Sequence, residues 1–435
     1  MATLLESTSG AAGTVVDELA PLLERVFVDP LVVELRFWDG SSYGRNQVGV
    51  VRFNGPDALR RIVWSPDELG LARAYVAGNI DIEGPMVEVL RALQVGVGGD
   101  TSAVMRAAAE LVRASRALGG LGSRLRPPAE EVVPHGIRHS LRRDRAAVGH
   151  HYDVGNSFYE LVLGPSMTYS CARFTTAATS LEAAQSAKHE LICRKLGLDR
   201  PRAEGADRRR LLDVGCGWGS MAIHAATNHD VDVVAVTIST EQAASARARV
   251  AEHGLADRIE IRLQDYREVT DGPYDAISSI GMAEHVGHRR MQLYFEKLFG
   301  LLTPGGRLLN HAIASVGGSR LGRRSFVNRY VFPDGELLDI ADTVRSMEAS
   351  GFEVRDVENL REHYDRTLRC WVDNLQRNWD TAVELVGEPR SRVWLMYMAG
   401  SVNGFEDAGL QLYQTLGVRL HADGRSEIPP TRDSW

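Results

Sequence analysis

The sequence predicts an α/β protein: a mostly parallel sheet covered by helices on both faces, with a smaller α+β unit ahead of it. Three observations predict it. From about residue 205, apolar runs of strand length alternate with amphipathic helical stretches. The run LLDVGCGWGS (211–220) passes from strand to helix through Gly215, Gly217 and Gly219. Upstream, residues 48–84 mix short strands with a helix.

With 435 residues the chain exceeds the roughly 100–200 of an ordinary domain. The pattern divides it into an accessory domain over 1–100, a basic helix and linker over 101–147, and a sheet domain over 148–435. In order, 13–27 reads as a helix, LVVELRFWDGSSYG (31–44) as strand and turn, and 48–84 as the mixed stretch. Residues 106–145 carry nine arginines (Arg106, Arg113, Arg116, Arg124, Arg126, Arg138, Arg142, Arg143 and Arg145) against four acids. That segment suits either a solvated connector or a patch for anionic lipid heads, where each basic group is worth about 1 kcal/mol. Strands are expected at 210–214, 231–236, 258–263, 274–280, 305–313 and 352–358. Helical stretches between them imply parallel pairing.

The net charge of −7 argues against nucleic acid as a partner, which favours a basic surface. The start, MATLLESTSG, lacks the basic and apolar regions of a signal peptide. No apolar run approaches the ~18 residues of a membrane span. Cys171, Cys193, Cys216 and Cys370 show no CxxC spacing. A reduced, cytoplasmic setting is therefore expected, with neither a disulfide framework nor a zinc site. Only Lys188, Lys195 and Lys297 are lysines among 50 basic residues, which reads as the stamp of a GC-rich genome.

A strand, closely spaced glycines and a helix form a nucleotide-type loop, where backbone can approach a ligand and helix N–H groups point at it. The spacing is GxGxG, and Asp213 precedes it. An acid there suits a cationic centre and disfavours a pyrophosphate. Thr237 stands where a ribose-binding acid would serve a dinucleotide. S-adenosylmethionine (SAM), with a sulfonium and no phosphate, fits better than NAD.

Residues 148–435 resemble the cyclopropane-fatty-acyl-phospholipid synthases, SAM-dependent enzymes that modify cis double bonds in membrane acyl chains. The resemblance rests on HYDVGNSFYELVLGPSMTYSCARF (151–174), LLDVGCGWGS, VTISTEQ, LQDYRE, SIGMAEHVG, HAI (311–313), YVFPDGELL and HYDRTLRCWVDNLQ (363–376). LGLARAYVAGNIDIEG, in the first hundred residues, resembles the accessory domain of the phospholipid-acting branch. The resemblance implies a class I SAM-dependent methyltransferase fold with a seven-stranded sheet. It places Tyr169, Ser170, Gly215 and Gly217 at the methionine end of SAM, with Asp213 and Gly219 in the same loop. Thr237 and Gln242 hold the ribose, and Asp265 and Tyr266 border the adenine. It also implies a bicarbonate base gripped by Cys171 (backbone), Glu284, His311, Ile313 (backbone) and Tyr364.

An alkene is a poor nucleophile, so sulfonium and double bond must be pressed together in a dry pocket. Methyl transfer leaves a carbocation that must lose a proton, and a side-chain carboxylate could trap that cation as an ester. A small captive oxyanion avoids this, and Glu284, His311 and Tyr364 carry groups suited to gripping one. Direct proton loss from the new methyl closes a cyclopropane; a preceding hydride shift gives an exomethylene branch, which a separate reductase would saturate. Two departures from the family pattern are Ala283, where Phe is usual, and Arg173, where an aromatic is usual. If position 283 faces the acyl chain, Ala283 widens the pocket and favours the methylene or methyl-branched, tuberculostearic-type product.

Arg320, Arg323, Arg324 and Arg329 among Phe326, Tyr330 and Phe332 suggest an interfacial lip for reaching lipid. The partners expected are unsaturated phospholipid acyl chains at the inner membrane face, and a second copy of the chain. A methyltransferase of a soluble small molecule, or a lipid carrier without catalysis, are the competing readings.

Overall fold

The computed structural model describes residues 13–27, 30–96, 110–133, 143, 154–201, 203–317, 322, 324–433 and 435. Two compact units divide the chain, Met1–Glu131 and Val132–Trp435.

In the first unit, the helix Val15–Val26 opens on a capping box between Thr14 and Asp17. Its apolar face, Val15, Leu19 and Leu23, is buried. Four short strands follow: β1 (Val33–Arg36), β2 (Ser42–Tyr43), β3 (Gly49–Phe53) and β4 (Ile80–Glu83), in the order β2-β1-β3-β4. β1 and β3 are parallel and the outer pairs antiparallel. The helices Pro56–Trp64 and Glu68–Val76 connect β3 to β4. A helix over 110–117 joins this unit, placing Ala114 in its core and Leu118, just beyond, against it. The Arg73 guanidinium grips Glu131 bidentately at 2.6 and 2.7 Å. Of the nine arginines, Arg106, Arg138, Arg142 and Arg145 lie outside the described residues.

The second unit holds a seven-stranded sheet ordered β10-β11-β9-β8-β5-β6-β7. Its strands are β5 (Arg209–Val214), β6 (Val231–Thr237), β7 (Ile259–Leu263), β8 (Tyr274–Ile280), β9 (Leu302–Ser315), β10 (Glu353–Asn359) and β11 (Leu410–Val418). Six fall where the apolar runs place them. The apolar runs give β11 no span, because LQLYQTLGV alternates apolar and polar residues. It pairs antiparallel with both β9 and β10, whereas β9-β8-β5-β6-β7 are parallel throughout.

The central strands are buried on both faces, as parallel strands under two helix layers must be. Leu211 packs to one side with Ala222, Ala225 and Ile261, and Leu212 to the other with Phe295 and Leu298. Each of the larger side chains here, the leucines, Ile261 and Phe295, is worth about 1.5–3 kcal/mol when fully buried. Chain order reverses between β5 and β8, so the crevice above their carboxyl ends is the switch point where open α/β sheets bind ligands. Among the described residues, no helix is long and apolar enough to cross a membrane.

Candidate active site

β5 ends at Val214, and the loop turns through Gly215 (φ +77°) and Gly217 (φ +55°) into the helix Ser220–Asn228. Both glycines occupy the left-handed region that L side chains avoid. Nothing lies within 4 Å of where a Cβ on Gly217 would project, so the backbone there borders open space. A cavity at this point is lined by Tyr169, Ser170, Asp213, Gly215, Gly217, Thr237, Gln242, Asp265 and Tyr266. Nine of the ten expected SAM-binding residues thus meet. Gly219 does not line the cavity; it caps the helix N-terminus, facing Ala246.

Asp213, 2% exposed, accepts a 2.6 Å bond from Ser278 Oγ through Oδ1. Its Oδ2 is buried with no partner among the described residues. Burial pushes its carboxyl up to about 6. Thr237 Oγ1 donates to Gln242 Oε1 at 2.9 Å, leaving the buried Gln242 Nε2 without a partner among the described residues. An unmatched carboxylate oxygen and amide fit a ligand bearing an amino group and hydroxyls. Asp265 is committed to Arg267, whose Nε and Nη2 reach it at 2.8 and 2.7 Å.

A second cavity adjoins the first, sharing Tyr169, Ser170, Gly281 and His285. Cys171, Glu284, His311, Ile313 and Tyr364 all line it. The remaining wall is mostly apolar, with Val327, Phe332, Leu337, Leu368 and Phe405 prominent. Glu284, on a turn after β8, accepts from the Ile313 amide at 2.7 Å through Oε1. The Ile313 N–H is thereby occupied by Glu284. Glu284 Oε2 and His311 Nε2 are buried without partners among the described residues, and burial raises the Glu284 carboxyl to about 7.

His311 Nδ1 lies 3.3 Å from Gln414 Nε2. An amide NH2 can only donate, so Nδ1 accepts and Nε2 carries the hydrogen. Burial holds the ring neutral, with its pKa well below the usual value. His311 therefore presents a neutral N–H donor, suited to an oxyanion. These unmatched groups fit a small oxyanion such as bicarbonate.

Residues beyond the expected set also appear. Lys188 and His189 line the first cavity, both buried. Lys188 Nζ lies 3.0 Å from Ser170 Oγ and 2.9 Å from His189 Nε2, and burial brings its pKa down to about 7. The signal is present in LEAAQSAKHELICRKL, where Lys188 falls on the buried stripe with Leu181, Ala184 and Leu191. Lysine scarcity, taken as composition alone, hides it. Tyr397 and Ser401, from the helix Glu388–Glu406, line the second cavity, and Gln414 comes from β11, which the apolar runs do not mark.

Two expectations fail. Ala283 is buried in the core beside Val286, Met291 and Leu338 and lines neither cavity, so it does not widen an acyl pocket. Phe326 and Tyr330 are 4% and 1% exposed and pack on each other at 5.1 Å. Aromatics turned inward cannot anchor in a bilayer surface; this segment instead walls the second cavity through Val327 and Phe332. Arg320 and Arg323 lie outside the described residues, and Arg173 lines neither cavity.

Switch-point crevice, glycine turn and unmatched buried acid define a class I SAM-dependent methyltransferase. Residues 139–415 match the family model described as mycolic acid cyclopropane synthetase. The chain belongs to that family, and is a SAM-dependent enzyme of the fatty acid methyltransferase and cyclopropane synthase kind.

A probable fatty acid methyltransferase of Mycobacterium tuberculosis is 41% identical over 409 residues, 90% of this chain and 92% of its own. Tuberculostearic acid methyltransferase UfaA1 of the same organism is 33% identical over 404 residues, 89% and 88% of the two chains. The cyclopropane-fatty-acyl-phospholipid synthase of Escherichia coli is 36% identical over 308 residues, 68% and 77%. A crystal structure of mycolic acid cyclopropane synthase CmaA1 complexed with SAH and CTAB matches with a TM-score of 0.58 at 33% identity. It covers 63% of this chain and 98% of that one.

Proposed function

We propose that this enzyme transfers a one-carbon unit from SAM to the cis double bond of an oleoyl-type phospholipid acyl chain, with bicarbonate as base. One observation carries the reading: two cavities of opposite character adjoin, sharing Tyr169, Ser170, Gly281 and His285. One presents the unmatched Asp213 and Gln242, and the other is greasy with Glu284 and His311 at its wall. When bound, SAM supplies an electrophilic methyl group and bicarbonate supplies a base.

Asp213 and Gln242 orient the donor, Asp213 through its second oxygen. His311 Nε2–H would donate to a bicarbonate oxygen, and Glu284 Oε2 would accept from the bicarbonate hydroxyl. The Ile313 amide keeps Glu284 in place. Tyr169, Tyr364 and Phe405 offer π faces that stabilise positive charge on the acyl chain and exclude water. Tyr364 packs against Phe405 with ring centroids 4.7 Å apart and the rings tilted by 43°, which restrains its ring.

The product proposed is methylene or methyl-branched, a tuberculostearic-type precursor that a separate reductase would saturate. Its support is the named activity of relatives matched along nearly the whole chain; Ala283 contributes nothing. A cyclopropane arises from the same cation by direct proton loss. We place the enzyme in the cytoplasm at the inner membrane face. Residues 1–100 act as an accessory domain for lipid contact or dimerisation, and 101–147 as the basic helix and linker. Expression in a host lacking such lipids, followed by fatty-acid profiling, tests this. A branched acid is expected, a ring would revise the product, and an unchanged profile would overturn the reading.

A further inference from the structure

On the side of the sheet where the helices Leu181–Leu196 and Ser220–Asn228 pack, outside both cavities, three metal-ligating side chains converge, with a carboxylate beside two of them. Cys193 Sγ and one ring nitrogen each of His224 and His229 lie within 4.8 Å of one another. Glu190 and Cys193 are three residues apart on one helix, so they share a face. His224 stands on the neighbouring helix and His229 just past its end. Both imidazole Nε2 atoms point at one carboxylate oxygen, Glu190 Oε2, at 3.4 and 3.0 Å.

We propose that Glu190, Cys193, His224 and His229 form a zinc-type divalent cation site that clasps these two helices together. The donor set of one thiolate, two imidazoles and one carboxylate is that of tetrahedral zinc. Nitrogen and oxygen ligands on such an ion sit about 3.3–3.4 Å apart, given bond lengths of about 2.0–2.1 Å. His224 Nε2 already stands at this separation from Glu190 Oε2, and His229 Nε2, at 3.0 Å, is closer.

The surroundings suit a structural ion. Cys193 is fully buried in the same apolar cluster as Ala222, Ala225 and Ala226. The other oxygen of Glu190 is held by Arg194 Nε at 2.8 Å, an outer contact of the kind that orients a ligating carboxylate. His189 sits 5.5 Å from the His224 ring and 2.9 Å from Lys188 Nζ, so the clasp backs directly onto the SAM cavity wall. CxxC spacing gives no hint of it, because the ligands come as Glu-x-x-Cys and as two histidines five apart.

The test uses the full chain, stripped of metal with a chelator and titrated with Co2+ and then Zn2+. One equivalent of Co2+ is expected to give intense tetrahedral absorption with a thiolate charge-transfer band, which Zn2+ removes. Cys193→Ser should lose that band, and His229→Ala should lose stoichiometric binding while circular dichroism and SAM binding report folding. The wild-type cobalt spectrum decides the matter even if a variant fails to fold. A weak octahedral spectrum without the thiolate band, or unchanged zinc binding in the folded variants, would overturn the proposal.

Discussion

The Ile313 amide on β9 donates a 2.7 Å hydrogen bond to Glu284 Oε1, tying the turn after β8 to the neighbouring strand. The bond satisfies one carboxylate oxygen and leaves the other buried and unmatched. Glu284 is thus held in place, at an electrostatic cost, on the wall of the apolar cavity.

Glu284→Gln should cost about 10²–10⁴-fold in turnover, the range for groups that assist proton transfer, while SAM affinity persists. Its stability should change in the opposite sense. The Glu284 carboxyl titrates near 4.5 when unfolded and near 7 when folded. Below 4.5 both states hold the proton. As pH rises from 4.5 to 7 the folded state retains a proton that the unfolded chain has lost, so stability falls, and above 7 the penalty is complete. The amide variant carries no such penalty. Urea unfolding should therefore show the variant gaining roughly 3 kcal/mol on wild type between about pH 4 and pH 8.

Lys188→Met should reshape the pH dependence of SAM binding. The Lys188 ammonium loses its proton near 7, and a cation in this wall repels a sulfonium. Wild-type affinity for SAM should rise relative to neutral S-adenosylhomocysteine as pH passes upward through 7. The variant should flatten that rise, leaving the lower step contributed by Asp213 near 6. Calorimetric titration with both ligands reads the difference. An unchanged ratio would remove Lys188 from the donor site.

Most of the sheet is legible because parallel strands buried on both faces write themselves as apolar runs, as LLDV (211–214) and VDVVAVT (231–237) do. β11 escapes because LQLYQTLGV carries Gln411 and Gln414 on a strand that is nonetheless covered. The glycine turn is readable from its residues alone. By contrast, Glu284, His311 and Tyr364 lie far apart along the chain, and only the family resemblance suggests that they meet. Ala283 and the aromatics of 326–332 show the limit, since composition does not reveal which way a side chain points.

Gly217→Ala should weaken SAM binding. At φ +55° a side chain costs about 1–3 kcal/mol of strain, and the new methyl would enter space bordering the donor cavity. A loss of about tenfold in SAM affinity, or about 1.4 kcal/mol, is expected from calorimetry. Wild-type affinity would mean that the loop does not approach the ligand.

Val327→Trp should block the acyl cavity selectively. Val327 is half-buried on its wall beside Phe332, so a larger ring fills lumen with little disturbance of the core. Turnover on oleoyl phospholipid should fall at least about tenfold, and SAM affinity should hold. Equal loss of both would argue that the two cavities are not separate in function.

Methyl transfer to an acyl double bond is read most directly by incubating the purified chain with methyl-labelled SAM, bicarbonate and oleoyl phospholipid vesicles, then analysing the fatty-acid esters by mass spectrometry. Label on a former olefinic carbon, appearing only with SAM and lost in Glu284→Gln, is the predicted result. SAM consumed with no label in the acyl chain, or lipid bound with no SAM consumed, would contradict it.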